Sequence, residues 1–512
     1  MKIATLTVAL LFGVILQRYW SSRRRQKALD AIARQHGCLD APLIENQRPM
    51  GVDRLEQIFR ASAESRLMEL FLFHFRQTGY TLKQIFLLTP AYGTLDPANI
   101  EAILSTKFED WSFGPRRDIA FPMFGDGIFT QEGEAWKHSR LMLRPQLTHR
   151  QYEDLELFDS PIKDLLDSLP QSGGVVDLQP LFFRFTLDVT TAFLFGESVR
   201  SLKSFPGSPE QTFAAAFDLA QSYVIQRFRL LDLYWLIGGR KFREACRQVN
   251  EFADKVIDQN LEDTVWEEEN TKTGRYVFLR AAAKSFPNRA ALRGQIVNIL
   301  AAGRDTTACL LSWTFFLLVR HPKSMQKVRA EISSVRDVKS LKRDDLRNLK
   351  YLQNVLKEVL RLYPSVPVNT RTAVNTTILP MGGGPDRKSP ILIPAGTAVA
   401  FSIYAMHRRP DLYGLDAELF RPERWDEDLP LFEDRTNTSF GYLPFSGGPR
   451  VCLGMIRVDF ALTEAAYAIV RIFQRYPEIT LPEGEKVEVV GNEKQTATLV
   501  LQITDGCNVK LG

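Results

Sequence analysis

Cys452 lies in the segment Phe445-Ser446-Gly447-Gly448-Pro449-Arg450-Val451-Cys452-Leu453-Gly454, whose residue types suit a thiolate held against a flat cofactor. A thiolate needs surroundings that stabilise its charge. The start of a helix supplies them, through unpaired backbone N–H groups and the positive end of the helix dipole. The pattern therefore predicts a helix that begins near Cys452 and runs through Ala461 to Phe473. Gly447 and Gly448 let the backbone turn tightly and approach a planar group closely. Arg450, two residues before the sulfur, is placed to reach a carboxylate on that group. A lone cysteine is more often a small buried hydrophobe. Phe445, Gly448, Arg450 and Gly454 around it argue for a ligand.

Three further groupings carry charge or hydroxyl chemistry. Glu358 and Arg361, three apart, share one helical face, which taken alone describes an ordinary surface pair. Asp305 and Thr306 stand inside an apolar helix, where an acid and a hydroxyl are costly unless hydrogen-bonded. Gly303 and Thr306 are expected to open the helix ladder there, the competing role for Thr306 being a bond back to its own helix. Trp136 and Arg140, four apart, also share a face.

The elements that must position these residues are mostly helical. Apolar residues recur at helical spacing over 55–75 and 295–319, the latter stopping before Pro322, and a third helix spans 349–362 before Pro364. Strand signals are short: 391–393, 398–401 and 496–503. Residues 262–275 read as a polar surface loop and 336–345 as a solvated charged face. The expected class is mainly α with a minor β-sheet region. With 512 residues, 45% hydrophobic, and no Gly/Ser-rich or Pro-rich linker, the chain reads as one large domain over 23–512. A net charge of +5 does not point to nucleic acid. The five scattered cysteines form neither a disulfide framework nor a zinc pattern, which favours a reducing compartment. Residues 1–22 read as a membrane anchor. The uncharged run 3–16 is followed by Tyr19 and Trp20, then by Arg23, Arg24, Arg25 and Lys27, which keeps the remainder cytosolic. A cleaved signal peptide would carry its positive charge before the apolar run, where only Lys2 stands.

The ten-residue cysteine segment resembles the haem-binding signature of the cytochrome P450 superfamily at every position. Glu358 and Arg361 resemble its Glu-x-x-Arg pair, linked to Arg424 in Phe420-Arg421-Pro422-Glu423-Arg424-Trp425. Trp136 and Arg140 resemble its Trp-x-x-x-Arg pair, and Ala302-Gly303-Arg304-Asp305-Thr306-Thr307 its acid–alcohol motif. The resemblance implies the cytochrome P450 fold with an N-terminal anchor in the endoplasmic reticulum membrane. It implies haem b as cofactor, with Cys452 as its iron ligand and Phe445 and Gly454 flanking the sulfur. Trp136, Arg140, Arg371 and Arg450 would meet the haem carboxylates. Glu358, Arg361 and Arg424 would be structural, while Asp305 and Thr306 supply protons. The implied reaction is insertion of one oxygen atom of O2 into a C–H bond of a lipophilic substrate. The chain shows no flavin or nicotinamide fingerprint, so electrons are expected from an NADPH-dependent cytochrome reductase, docking near Lys137 and Arg457.

Gly125-Asp126-Gly127-Ile128-Phe129, Val366-Pro367-Val368-Asn369, Leu379-Pro380-Met381-Gly382-Gly383-Gly384 and Met406-His407-Arg408-Arg409 resemble the fungal branch that hydroxylates n-alkanes and fatty acids. That implies terminal hydroxylation of a long aliphatic substrate, in a pocket lined by Phe121, Phe124, Phe213, Phe217, Ala302, Val366 and Val368. Tailoring oxidation of a polyketide or terpenoid is the alternative within this chemistry. A non-catalytic haem protein, which would not need Asp305 and Thr306, and a haem-thiolate isomerase are the alternatives outside it. One departure stands out. The branch has two residues between Gly454 and the Phe-Ala-Leu-Thr-Glu-Ala run, whereas here there are five, Met455 to Asp459. In a continuous helix three extra residues turn everything downstream by roughly 300°.

Overall fold

The structure is a computed structural model that describes residues 2–147, 155–170, 173–205, 207–262, 278–335, 341–455 and 460–512. The chain forms two compact units, each built from separated stretches of sequence.

The first unit comprises Met1–Arg54, Phe73–Ser112 and Thr370–Phe401. Its centre is a five-stranded sheet in the order Thr81–Phe86, Thr89–Thr94, Ala398–Ser402, Val368–Ala373, Trp111–Ser112. The first two strands form an antiparallel hairpin, and the second pairs in parallel with the third. The expected strand at 391–393 is half of a second hairpin, Thr377–Gly383 against Ser389–Ile393, with Leu379, Ile391 and Ile393 buried. The amino-terminal helix runs over Lys2–Gln35. Arg23 lies 5.1 Å over the Tyr19 ring, and Arg25 donates to the Ala395 carbonyl at 3.0 Å. Among the described residues no helix is long and apolar enough to cross a membrane.

The second unit comprises Leu55–Leu72, Phe113–Asn369 and Ser402–Gly512. The expected helix over 295–319 is the middle of a 32-residue helix, Arg289–Arg320, capped by the Asn288 side chain on the Ala291 N–H at 3.1 Å. Its residues are buried nearly all round, as apolar sequence on every face requires. The helix is unbroken through Ala302–Thr307, which corrects the expectation of an opened ladder. Gly303 has another use: a Cβ there would stand 2.5 Å from Thr190 Oγ1 on the Leu178–Phe195 helix, so glycine is what lets the two helices approach.

Three other expectations need correction. The helix foreseen over 55–75 is two helices, Val52–Ala63 and Leu67–Thr78, interrupted at Ser65, whose φ is 58°. The segment 496–503 is a tight hairpin, Gln495–Ala497 against Leu501–Ile503, rather than one strand. Arg343, in the face foreseen as solvated, is buried, while 336–340 and the loop at 263–275 lie outside the described residues.

Of the helix foreseen from Cys452, Phe460–Arg475 is helical, Leu453–Met455 is a short 3-10 turn, and 456–459 lie outside the described residues. Ala465, Ala466, Ile469, Val470, Ile472 and Phe473 are buried. The apolar face of this helix is therefore seated in the core, each larger side chain contributing roughly 1.5–3 kcal/mol on burial. The same face carries Glu464, which is 1% exposed, with both carboxyl oxygens lacking a hydrogen-bond partner among the described residues and Thr307 beside it. Burial pushes its carboxyl well above the usual range. An acid raised in the folded state costs nothing below its unfolded pKa and destabilises progressively above it. Glu464→Gln is accordingly expected to raise stability at pH 7 by about 1–3 kcal/mol, a gain that vanishes below about pH 4. Urea midpoints of the two proteins at both pH values check this.

Candidate active site

The cysteine segment is anchored from below by a buried ion cluster. Glu358 and Arg361, on the Lys350–Leu362 helix, form a two-pronged pair with N–O distances of 2.8 and 2.7 Å, both side chains fully buried. Arg424 adds a third member at 3.4 Å from the same carboxylate, and the Trp425 indole and the Arg421 backbone N–H also donate to it, at 3.1 and 3.0 Å. Arg361 in turn donates to the carbonyls of His407, Ala417 and Leu419. Four donors on one carboxylate offset the large cost of taking charge out of water.

His407 transmits this order to the cysteine segment. Its Nδ1 lies 3.1 Å from the Arg361 carbonyl, which can only accept, and its Nε2 accepts from the Leu443 N–H at 2.9 Å. One neutral tautomer satisfies both bonds. Burial and the Arg361 charge push the imidazole down to about 3, so it stays neutral. From Leu443 the chain turns through Ser446 and Gly448, both at positive φ, and closes when the Cys452 N–H donates to the Phe445 carbonyl at 3.0 Å. Gly447 fits against Leu443 and Phe440, which a Cβ would meet at 3.1 and 3.2 Å. Cys452 emerges exposed between two short 3-10 turns, Gly448–Arg450 and Leu453–Met455.

Positive charge gathers beside it. Arg450 lies 4.1 Å over the Phe113 ring and 4.2 Å over the Trp136 ring, and donates to the Gln131 carbonyl at 3.1 Å. Arg140, one turn from Trp136 on the Gly133–Leu147 helix, is close enough to Cys452 for each charge to act on the other. Arg116 stands 3.9 Å over the same Phe113 ring. Burial lowers Arg450 to about 9 and Arg116 to about 10, and among the described residues Glu132 is the carboxylate that opposes both. Arg116, Arg140 and Arg450, with Glu132 opposing the first and the last, make a net positive pocket. Such a pocket is stable when it holds an anion.

A match over most of the chain decides what this pocket serves: the Cytochrome P450 family model covers residues 63–505. The chain belongs to the cytochrome P450 family. A relative from Arthroderma benhamiae described as "Cytochrome P450" is 42% identical over 99% of this chain and 98% of its own. "Cytochrome P450 52A5" of Candida maltosa is 42% identical over 82% of this chain and 80% of its own. "Cytochrome P450 monooxygenase g430" of a Fusarium species is 38% identical over 97% and 88%. The protein is a cytochrome P450 monooxygenase, with haem as the family's cofactor.

The residues of this cytochrome P450 fit that group. A planar dianion answers the positive pocket made by Arg116, Arg140 and Arg450, with Cys452 as the soft ligand and the glycines leaving room for a flat face. At Gly454 a Cβ would lie 3.8 Å from the Cys452 sulfur. Sequence reasoning missed Arg116 and His407. Arg116 reaches the site only because Phe113 packs between segments far apart in sequence, and His407 sat in a motif quoted for resemblance alone. Arg371 belongs to the first unit, buried on the Val368–Ala373 strand, donating to the Thr370 carbonyl at 2.8 Å and lying 5.8 Å from the Phe401 ring.

Asp305 is 2% exposed on the central helix. It accepts from Arg304 Nη1 at 3.0 Å and from the Gln221 amide. Burial, the largest influence, lifts it to about 6 against the opposing pull of Arg304. Thr306 Oγ1 donates to the Ala302 carbonyl at 2.7 Å. The foreseen pocket lining does not come together as one wall. Phe124, Phe213 and Phe217 belong to a buried cluster, Phe213 stacking on Phe252 at 4.2 Å. Val368 packs against the other cluster, while Phe121 and Val366 are exposed and Ala302 is half-buried.

Proposed function

We propose that this cytochrome P450 hydroxylates the terminal carbon of a long-chain alkane or fatty acid. The observation that carries its chemistry is Asp305, a carboxyl buried in an apolar helix and lifted to about 6, next to a hydroxyl. Such a carboxyl titrates within about a unit of neutral pH, so it can take up and release a proton without a large penalty. When bound, haem supplies the redox centre at which dioxygen is reduced. Cys452 is its ligand, and Arg116, Arg140 and Arg450 hold its carboxylates, with haem b as the form. Asp305 holds a proton and Thr306 passes it on, the Thr306 oxygen being available to accept while its hydrogen is engaged with Ala302.

The aliphatic substrate class is supported by the 42% identity to a Candida maltosa relative of the 52A group and by the four branch-like segments of the sequence. We assign the electrons to an NADPH-dependent cytochrome reductase. Lys137, proposed for its docking face, is half-exposed and paired with Glu134 at 3.0 Å, whereas Arg457 lies outside the described residues. The Lys2–Gln35 helix, with Phe12, Tyr19 and Trp20 exposed ahead of Arg23 to Arg25, is assigned to attachment at the endoplasmic reticulum membrane.

The test is product analysis with purified chain, reductase and NADPH on dodecane, a saturated fatty acid and an aromatic panel. A primary alcohol from the lipids is expected. Turnover of an aromatic compound with no product from any lipid would sink the substrate assignment.

A further inference from the structure

Arg304 Nη1 is bound by two carboxylates at once: Asp305 at 3.0 Å on its own helix and Asp218 at 2.7 Å on the Pro209–Arg229 helix. The two partners live in different surroundings. Asp305 is 2% exposed, whereas the Asp218 side chain is 59% exposed. Gln221, one turn after Asp218 on the same helix face, is buried and donates to the other oxygen of Asp305. Arg304 is held in place by the rings of Phe183 and Phe217, 5.1 and 5.4 Å away, so it cannot swing to serve one carboxylate fully.

We propose that Asp218 is a positioning residue that strengthens the hold of Asp305 on its proton by sharing the Arg304 guanidinium with it. The proposal rests on the reading of Asp305 as a proton donor. Its physics is a charge count. One buried cation faces two carboxylates, so the cluster carries one negative charge too many for its low-dielectric surroundings. A proton relieves that excess, and it settles on the carboxylate that water cannot stabilise. Asp305 is that carboxylate, 2% exposed against 59% for the Asp218 side chain. The charged and titratable groups acting on Asp305 are Arg304, Asp218 and, further along its own helix, Cys309. Asp218 favours the protonated form, while Arg304 and the Gln221 amide favour the ionised form.

The variants have opposite signs, which a merely structural role would not produce. Asp218→Asn removes the competing charge and leaves Arg304 to Asp305, so Asp305 should ionise at lower pH. The expected displacement is about half a pH unit or more, discounted from the usual one to three because Asp218 is solvated. Arg304→Gln should move it upward, and Asp218→Glu should restore the parent value. The readout is the protonated-carboxyl infrared band of the purified holoenzyme against pH, assigned by its loss in Asp305→Asn, alongside the pH profile of kcat.

A downward displacement in Asp218→Asn with recovery in Asp218→Glu supports the proposal. An unchanged or upward-moving Asp305 band overturns it, even if Arg304→Gln fails to fold. If Asp305→Asn keeps full turnover and an unaltered pH profile, the donor reading fails instead, and the infrared titration still decides what Asp218 does.

Discussion

Cys452→Ala is expected to lower product formation by more than about a hundredfold, because outer partners of a metal site alone typically account for 10–100-fold. The loss should be chemical and not a failure to fold. Cys452 is exposed, and its substitution leaves the Glu358 cluster, His407 and the closure between residues 452 and 445 intact, the last being a backbone bond. Arg116, Arg140 and Arg450 remain to hold the haem carboxylates, so some pigment should still bind, without the thiolate signature in the reduced, carbonyl-bound spectrum. A variant that keeps that signature and normal turnover would remove Cys452 from the site. Arg140 offers an internal control. Because Cys452 acts on its charge, the Arg140 environment should respond to the substitution.

The second large effect falls on folding. Glu358→Ala removes the one carboxylate that Arg361 and Arg424, both fully buried, share. Breaking a buried pair by deleting one partner costs about 3–5 kcal/mol, since the remaining charge stays desolvated. Arg361 loses its carboxylate, whereas Arg424 keeps Asp416 at 2.6 Å, so the middle of that range is expected. A marginal total stability of about 5–15 kcal/mol would then be largely spent. The measurement is the yield of soluble, haem-loaded protein together with its urea midpoint. Near-parent values for both would show that the cluster is dispensable. Glu358→Gln should recover part of the loss, because an amide oxygen still accepts from Arg361 and Trp425 although the charge is gone.

What the sequence by itself determined was the chemistry that local spacing encodes. Cys452 with its glycines, the i, i+3 pair of Glu358 and Arg361, the i, i+4 pair of Trp136 and Arg140, and Asp305 inside an apolar helix were legible because each motif lies within one element. Tertiary structure decided whatever depends on contacts across the chain. It seated the apolar face of Phe460–Arg475 in the core and made Leu453–Met455, just after Cys452, a 3-10 turn. It assigned Gly303 to a close helix crossing, turned Phe213 and Phe217 into core, and brought Arg116, His407, Asp218 and Gln221 to groups far from them in sequence. A periodic pattern states which face of an element is apolar, but not what meets that face. The partner is chosen by packing and by the demand that every buried charge find its complement.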